Sequence, residues 1–198
     1  MPTSTFHNLN DDKKQRIFDA AVKEFSIRRF TDASINQIIK NAGIPKGSFY
    51  QYFNDKEDIY LYMMEKIENE KHEIMSHIKV LNTDADIFEI GMEEMKAALE
   101  WAKFRPDYSR IGILMWSDNS KFIARFRATT IESVKKNIES DKERGLIKPE
   151  ADSDLVADIL ITLILNESFF AGLDEDKYLK KLNDTIKILK EGIAVTKK

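Results

Sequence analysis

Cysteine is absent from the 198 residues, which excludes a disulfide framework and a thiolate metal site and fits a reducing compartment. Long apolar runs are missing too. The longest, Ile159 to Leu165, is interrupted only by Thr162 and is far too short to cross a bilayer. The opening MPTSTFHNLN lacks the basic region and apolar block of a secretory signal. These absences lead us to expect a cytoplasmic protein with no membrane partner. There is no internal repeat and no low-complexity segment. Enzyme motifs are equally wanting. A helical dimetal centre uses Glu-x-x-His pairs, but Asn69 and Ile74 stand three residues before His72 and His77. Glu68 and His72 are four apart, a spacing that allows a shared metal but far more often marks an ordinary surface pair on a helix. KGS at Lys46 lacks the Gly-Lys-Ser/Thr order of a phosphate loop, and no G-x-S-x-G occurs. No catalytic residue, cofactor or metal is expected.

Glycine and proline are scarce, at seven and four, and apolar residues recur at spacings of three and four along almost the whole chain. That pattern predicts an all-α protein of about nine helices. With 42% hydrophobic residues the chain can bury a sizeable core. The net charge of -3 hides an asymmetry: up to Lys56 there are nine Lys and Arg against six Asp and Glu, and afterwards twenty-two against twenty-eight. The amino-terminal quarter is the basic part, as expected of a chain that meets an anionic polymer with one end.

Asn10 is placed to cap a first helix whose opening turn holds Asp11 and Asp12, acids at the positive end of the helix dipole. Ile17, Ala20, Ala21 and Phe25 form its inward stripe. Ser34 and Gln37 have the S-x-x-Q spacing of a capping box and open a second helix, SINQIIKNA. Gly43 closes it, and Pro45 suits the first turn of a third. Two short helices around a glycine turn make a helix-turn-helix unit. In the third helix Phe49 and Phe53 share an inward face, while Lys46, Ser48, Tyr50 and Tyr52 spread over the rest. Farther on, helices are expected to break at Pro106, to end near Asp118 and to close at Gly145. The last two helices, LVADILITLILNESFFAG and the stripe Leu179, Leu182, Ile186, Leu189 and Ile193, carry more apolar surface than one thin bundle requires. A dimer interface and an internal core both explain that excess.

The stretch AGIPKGSFYQYFNDKEDIY, with the helices before it, resembles the TetR family of bacterial transcriptional regulators over residues 10 to 60. Pro45 and Ile39 depart from the residues common there, a hydroxyl and a small alanine. The resemblance implies an amino-terminal three-helix DNA-binding domain at residues 10–56 and a larger helical ligand-binding and dimerisation domain at residues 57–198. It implies a ligand-responsive regulator, a repressor in the usual case, that binds a palindromic double-stranded DNA operator as a homodimer through its last two helices. Carried over residue by residue, Lys46, Gly47, Ser48 and Tyr50 are expected to face bases. Ser34, Tyr52 and Lys56 are expected to contact phosphates, with Arg28 and Arg29 in support. A small apolar or aromatic effector is expected among Trp101, Phe104, Tyr108, Met115, Trp116, Phe126, Asn166 and Phe170. Asn166 and its neighbour Glu167 serve equally well as polar anchors for a ligand or as hydrogen-bonding groups across a dimer interface.

Overall fold

A computed structural model of the protein describes residues 2–75, 85–169 and 175–193. Among the described residues there are ten helices and no strand: α1 Ser4–His7, α2 Asp11–Phe25, α3 Ile35–Ala42, α4 Lys46–Tyr52, α5 Lys56–Met75, α6 Ile87–Phe104, α7 Pro106–Trp116, α8 Lys121–Glu143, α9 Ser153–Phe169 and α10 Glu175–Ile193. The all-α expectation holds, and the additional helix is α1, whose sequence reads as a loose lead-in. The chain divides into two compact units, Met1–His77 with Trp101–Ala124, and Ile78–Glu100 with Arg125–Lys198.

In the first unit the helix boundaries follow local chemistry. The Asn10 side chain accepts the Lys13 N–H at 2.9 Å, and Asp11 and Asp12 occupy the first turn of α2, as a helix N-terminus prefers. Ile17, Ala21, Ile38, Phe49, Phe53, Ile59 and Met63 are wholly buried and join α2 through α5 in one core. Each large apolar side chain so buried contributes roughly 1.5 to 3 kcal/mol. A cluster of rings extends it: Phe25 lies edge-on to Tyr60, with centroids 4.9 Å apart, and Phe30 packs at 4.6 Å from Phe122. Burial, followed by the nearby Asp118 charge, pushes the Tyr60 phenol far up.

In the second unit, α6 begins where Asp86 accepts the N–H groups of Phe88 and Glu89, both at 3.0 Å. The buried Asp141 carboxylate accepts the Ile87 N–H at 2.7 Å and is paired with Arg144. Gly145, at φ 71°, reverses the chain after α8 as expected. Phe88, Ile138, Ile147, Val156, Ala157, Leu160, Tyr178, Leu182 and Ile186 form the core. The predicted α10 stripe is present: Leu182 and Ile186 are buried, and Leu179, Leu189 and Ile193 pack against them.

Candidate nucleic-acid interface

The α3–turn–α4 pair is held from both sides. Ser34, in extended conformation, accepts the Gln37 N–H with its hydroxyl, so the amino-terminal half of the expected capping box exists. The reciprocal half does not come from Gln37, whose amide donates instead to Asn41 at 3.0 Å. Glu24 of α2 takes that role, accepting the Ser34 N–H at 2.8 Å. This carboxylate is buried and faces Arg28 at 3.6 Å. Gly43 has φ 64° and ψ 38°, a left-handed geometry that a side chain makes costly. An added Cβ there would find only the Arg16 guanidinium, at 3.9 Å. Pro45 then caps α4 with no side-chain hydrogen bond, the consequence of a ring where a hydroxyl is common.

The seven residues of α4 divide as the phenylalanine spacing predicts. Phe49 is fully buried, as is Phe53 just beyond it, while Tyr50 is 49% exposed and rests edge-on against Phe49. Lys46 and Gly47 are exposed and Ser48 half-buried, so the outward face offers an ammonium, a bare backbone, a hydroxyl and a phenol. A Cβ built on Gly47 meets nothing within 4 Å; the protein itself does not require glycine at that position.

Two expected phosphate contacts are corrected. Tyr52 is only 4% exposed; its ring lies under Phe6 of α1 at 6.2 Å and has the Lys13 ammonium 5.3 Å from its centroid. The reason is α1 itself, which covers this side of α4. Lys56 turns inward: its ammonium donates to the carbonyls of Thr31 and Ala33, at 3.1 and 3.0 Å, and lies 4.8 Å over the Phe30 ring. Burial lowers its pKa, against the opposing pull of Asp118, Asp32 and Glu24. Arg28 and Arg29 are engaged by Glu24 and Asp32. Sequence reasoning missed Arg16, exposed beside the Gly43 turn. The available signal was its place on α2 at the edge of the inward stripe, four residues before Ala20, where a basic group flanks the packed face.

Sequence reasoning also missed Asp118. This carboxylate, wholly buried just after α7, accepts the Thr31 N–H at 2.7 Å, the Thr31 hydroxyl at 3.1 Å and the Ser120 N–H at 2.8 Å. Burial alone would raise its pKa, but these donors outweigh it and hold the group at about 2. The backbone entering α3 is thus gripped at Thr31 by Asp118 and Lys56 together.

The residues expected around an effector are distributed unevenly. Trp101 and Tyr108 meet with centroids 5.5 Å apart, and burial, then the Glu70 charge, pushes the Tyr108 phenol up to about 12. Met115 is buried and Trp116 half-buried, whereas Phe104 is 76% exposed, a poor pocket wall in this conformation. Phe126 is half-buried in the second unit. The Asn166 side chain and Phe170 lie outside the described residues. Among the described residues the second unit includes two hollows that the sequence did not reveal. One is a cavity of about 140 Å³ lined by Ile87, Ile90, Val134, Leu160 and Leu182 with Glu94 and Asn137. The other is a groove of about 570 Å³ between α6 and α10, with Phe88, Met92 and Ile186 among its walls and charged rims.

Two short helices around a left-handed glycine, the second with its apolar face buried and its polar face bare, define a helix-turn-helix DNA-binding protein. The comparisons agree. The family of bacterial regulatory proteins named for tetR matches residues 17–63. The HTH-type transcriptional regulator YdgC of Bacillus subtilis is 28% identical over 163 residues, 80% of this chain and 81% of that protein. HbdR of Aromatoleum is 34% identical over 74 residues, 37% of this chain and 32% of its own. A TetR-family regulator from Chloroflexus aurantiacus has the same fold, with a TM-score of 0.70 at 24% identity over 99% of this chain and 100% of its own. FadR of Bacillus subtilis, solved with stearoyl-CoA, gives 0.67 at 19% identity over 91% and 99%. Residues 17–63 match the TetR family's DNA-binding region, and the chain is similar over most of its length to HTH-type transcriptional regulators, so it is a DNA-binding transcriptional regulator. Among the described residues no helix is long and apolar enough to cross a membrane.

Proposed function

We propose that this regulator is a cytoplasmic repressor that binds a palindromic operator as a homodimer and is released by a small, largely apolar effector. The observation that carries the reading is the division of α4: Phe49 and Phe53 anchor it, while Lys46, Gly47 and Tyr50 are exposed and Ser48 is half-buried beside them. In a major groove these four would touch base edges. Phosphates would be met by Arg16 and by the Ser34 hydroxyl proton, rather than by Tyr52 or Lys56. On this reading residues 10–56 read DNA and residues 57–198 bind the effector and pair the subunits. Leu155 of α9 and Ile188 of α10 are 57% and 69% exposed, large apolar groups that a second copy would cover. The apolar cavity beside α6, α8 and α9, together with the stearoyl-CoA bound by the FadR neighbour, supports an effector with an aliphatic portion. Within the first unit, Trp101, Tyr108 and Met115 remain a separate candidate lining for an apolar ligand.

The mechanism would be a population shift: the effector prefers a spacing of the paired heads that no longer matches successive grooves, transmitted along α5, and operator affinity falls by its differential affinity for the two states. The test is selection of bound sequences from random duplexes. A palindrome with half-sites about 34 to 36 Å apart, or a multiple of that, is the expected result; enrichment of asymmetric single sites would remove the dimer, and no enrichment would remove sequence reading.

A further inference from the structure

The recognition helix α4 is seven residues long, and a helix leaves its last four carbonyls without intrahelical partners. Where α3 solves this with Gly43 in the left-handed conformation, α4 runs into Phe53 at φ -135°, an extended residue. A glycine-type cap is therefore unavailable. The Phe53 N–H returns to the Phe49 carbonyl at 2.9 Å, but the Gln51 and Tyr52 carbonyls are met from elsewhere in the chain. The Thr3 N–H donates to Tyr52 O at 2.9 Å, and the Thr3 hydroxyl donates to Gln51 O at 2.6 Å. The same hydroxyl oxygen accepts the Phe6 N–H at 3.4 Å and so starts α1. Phe6, 1% exposed, drives this segment onto the domain, with ring centroids 4.9 Å from Phe53 and 4.8 Å from Tyr62.

We propose that residues 3–9 are a carboxy-terminal cap for the recognition helix and that Thr3 and Phe6 are positioning residues for sequence reading, although neither touches DNA. The proposal rests on α4 being the DNA-reading element. Thr3 fixes the far end of α4 and Phe6 fixes its tilt against Phe53. When that end frays, Tyr50, one residue before the capped carbonyls, loses its fixed direction. Loss of the cap therefore weakens binding to the right sequence more than binding to any duplex, because non-specific affinity comes from charges that the cap does not carry.

The experiment uses the full chain, the duplex that it enriches from a random pool, and an unrelated duplex of equal length. Thr3→Val keeps the shape and removes the hydroxyl; Thr3→Ser keeps the hydroxyl. For Thr3→Val the specific affinity is expected to fall about fivefold, the worth of one typical hydrogen bond, with non-specific affinity unchanged. Thr3→Ser should match the parent. A Thr3→Val protein with a lower melting temperature but an unaltered ratio of specific to non-specific affinity would make the cap purely structural and overturn the proposal while leaving DNA reading intact. A parent chain that enriches no sequence at all overturns both.

Discussion

Asp118 gives the sharpest test of how the first unit is held together. Its carboxylate is wholly buried and accepts three donors from Thr31 and Ser120, so it prefers to be charged: its pKa falls from the usual 3.8 to about 2. At 1.36 kcal/mol per pKa unit, that preference is worth about 2 kcal/mol of folding stability. Because the folded value is the lower one, the contribution is fully present above about pH 4 and is lost as the pH falls through about 2; about half has gone by pH 3. Asp118→Asn keeps the shape but turns an amide towards donors. It should lose about 2 kcal/mol at pH 7, lowering the melting temperature by about 4 to 8 °C for a chain of this size. Urea titrations of both proteins at pH 7, 5, 4 and 3 read the effect directly, and the gap between them should narrow only below pH 4. A gap of constant size down to pH 3, or no gap at neutral pH, would refute the claim that a charged Asp118 anchors the loop into α3.

The remaining predictions concern residues around that loop and the exposed face of α4. Arg16→Ala should lower the slope of log affinity against log salt by about 0.9, the signature of one lost phosphate contact, with stability unchanged; an unaltered slope removes Arg16 from the interface. Lys56→Met should do the opposite, because its ammonium is tied to the Thr31 and Ala33 carbonyls: about 1 to 2 kcal/mol less stable by denaturant unfolding, with the salt slope of the parent. Gly47→Ala, into open space, should raise stability by up to about 1 kcal/mol and still weaken operator binding, measured by titration against the selected duplex. Improved stability with unchanged affinity would show that DNA does not approach that backbone.

What the sequence disclosed about the interface was whatever local chemistry dictates. Gly43 had to be glycine because its backbone is left-handed, and Phe49 was legible as the inward side of α4; Phe53 is buried as expected, but as an extended residue just past the helix rather than on its face. The same rules placed the caps at Asn10 and Ser34. They failed where the partner is distant in sequence. Glu24 displaced Gln37 from the expected capping box because a buried carboxylate ten residues away reached the Ser34 N–H first. Tyr52 and Lys56, polar and next to exposed residues, read as surface contacts until α1 and the Thr31–Ala33 carbonyls claimed them. Asp118 carried no signal at all, since an acid after an apolar helix is an ordinary cap in sequence and becomes an anchor only when the chain folds 87 residues back onto Thr31.

The effector region was legible only as composition, for a related reason. Soft apolar residues between 92 and 126 mark a helical core and a ligand wall equally well, because burial and binding select the same side chains. Folding then separates them: Ile111 and Met115 go inside, and Phe104 stays 76% exposed. The cavity in the second unit is lined by aliphatic residues drawn from α6, α8, α9 and α10, none of them unusual within its own helix. Its two polar groups, Glu94 and Asn137, sit at positions that a helical wheel assigns to solvent as readily as to a pocket. The proposed DNA-reading face lies on one short helix and is contiguous in sequence, so seven residues disclose it; a hollow assembled from four helices has no counterpart in any single stretch of the chain.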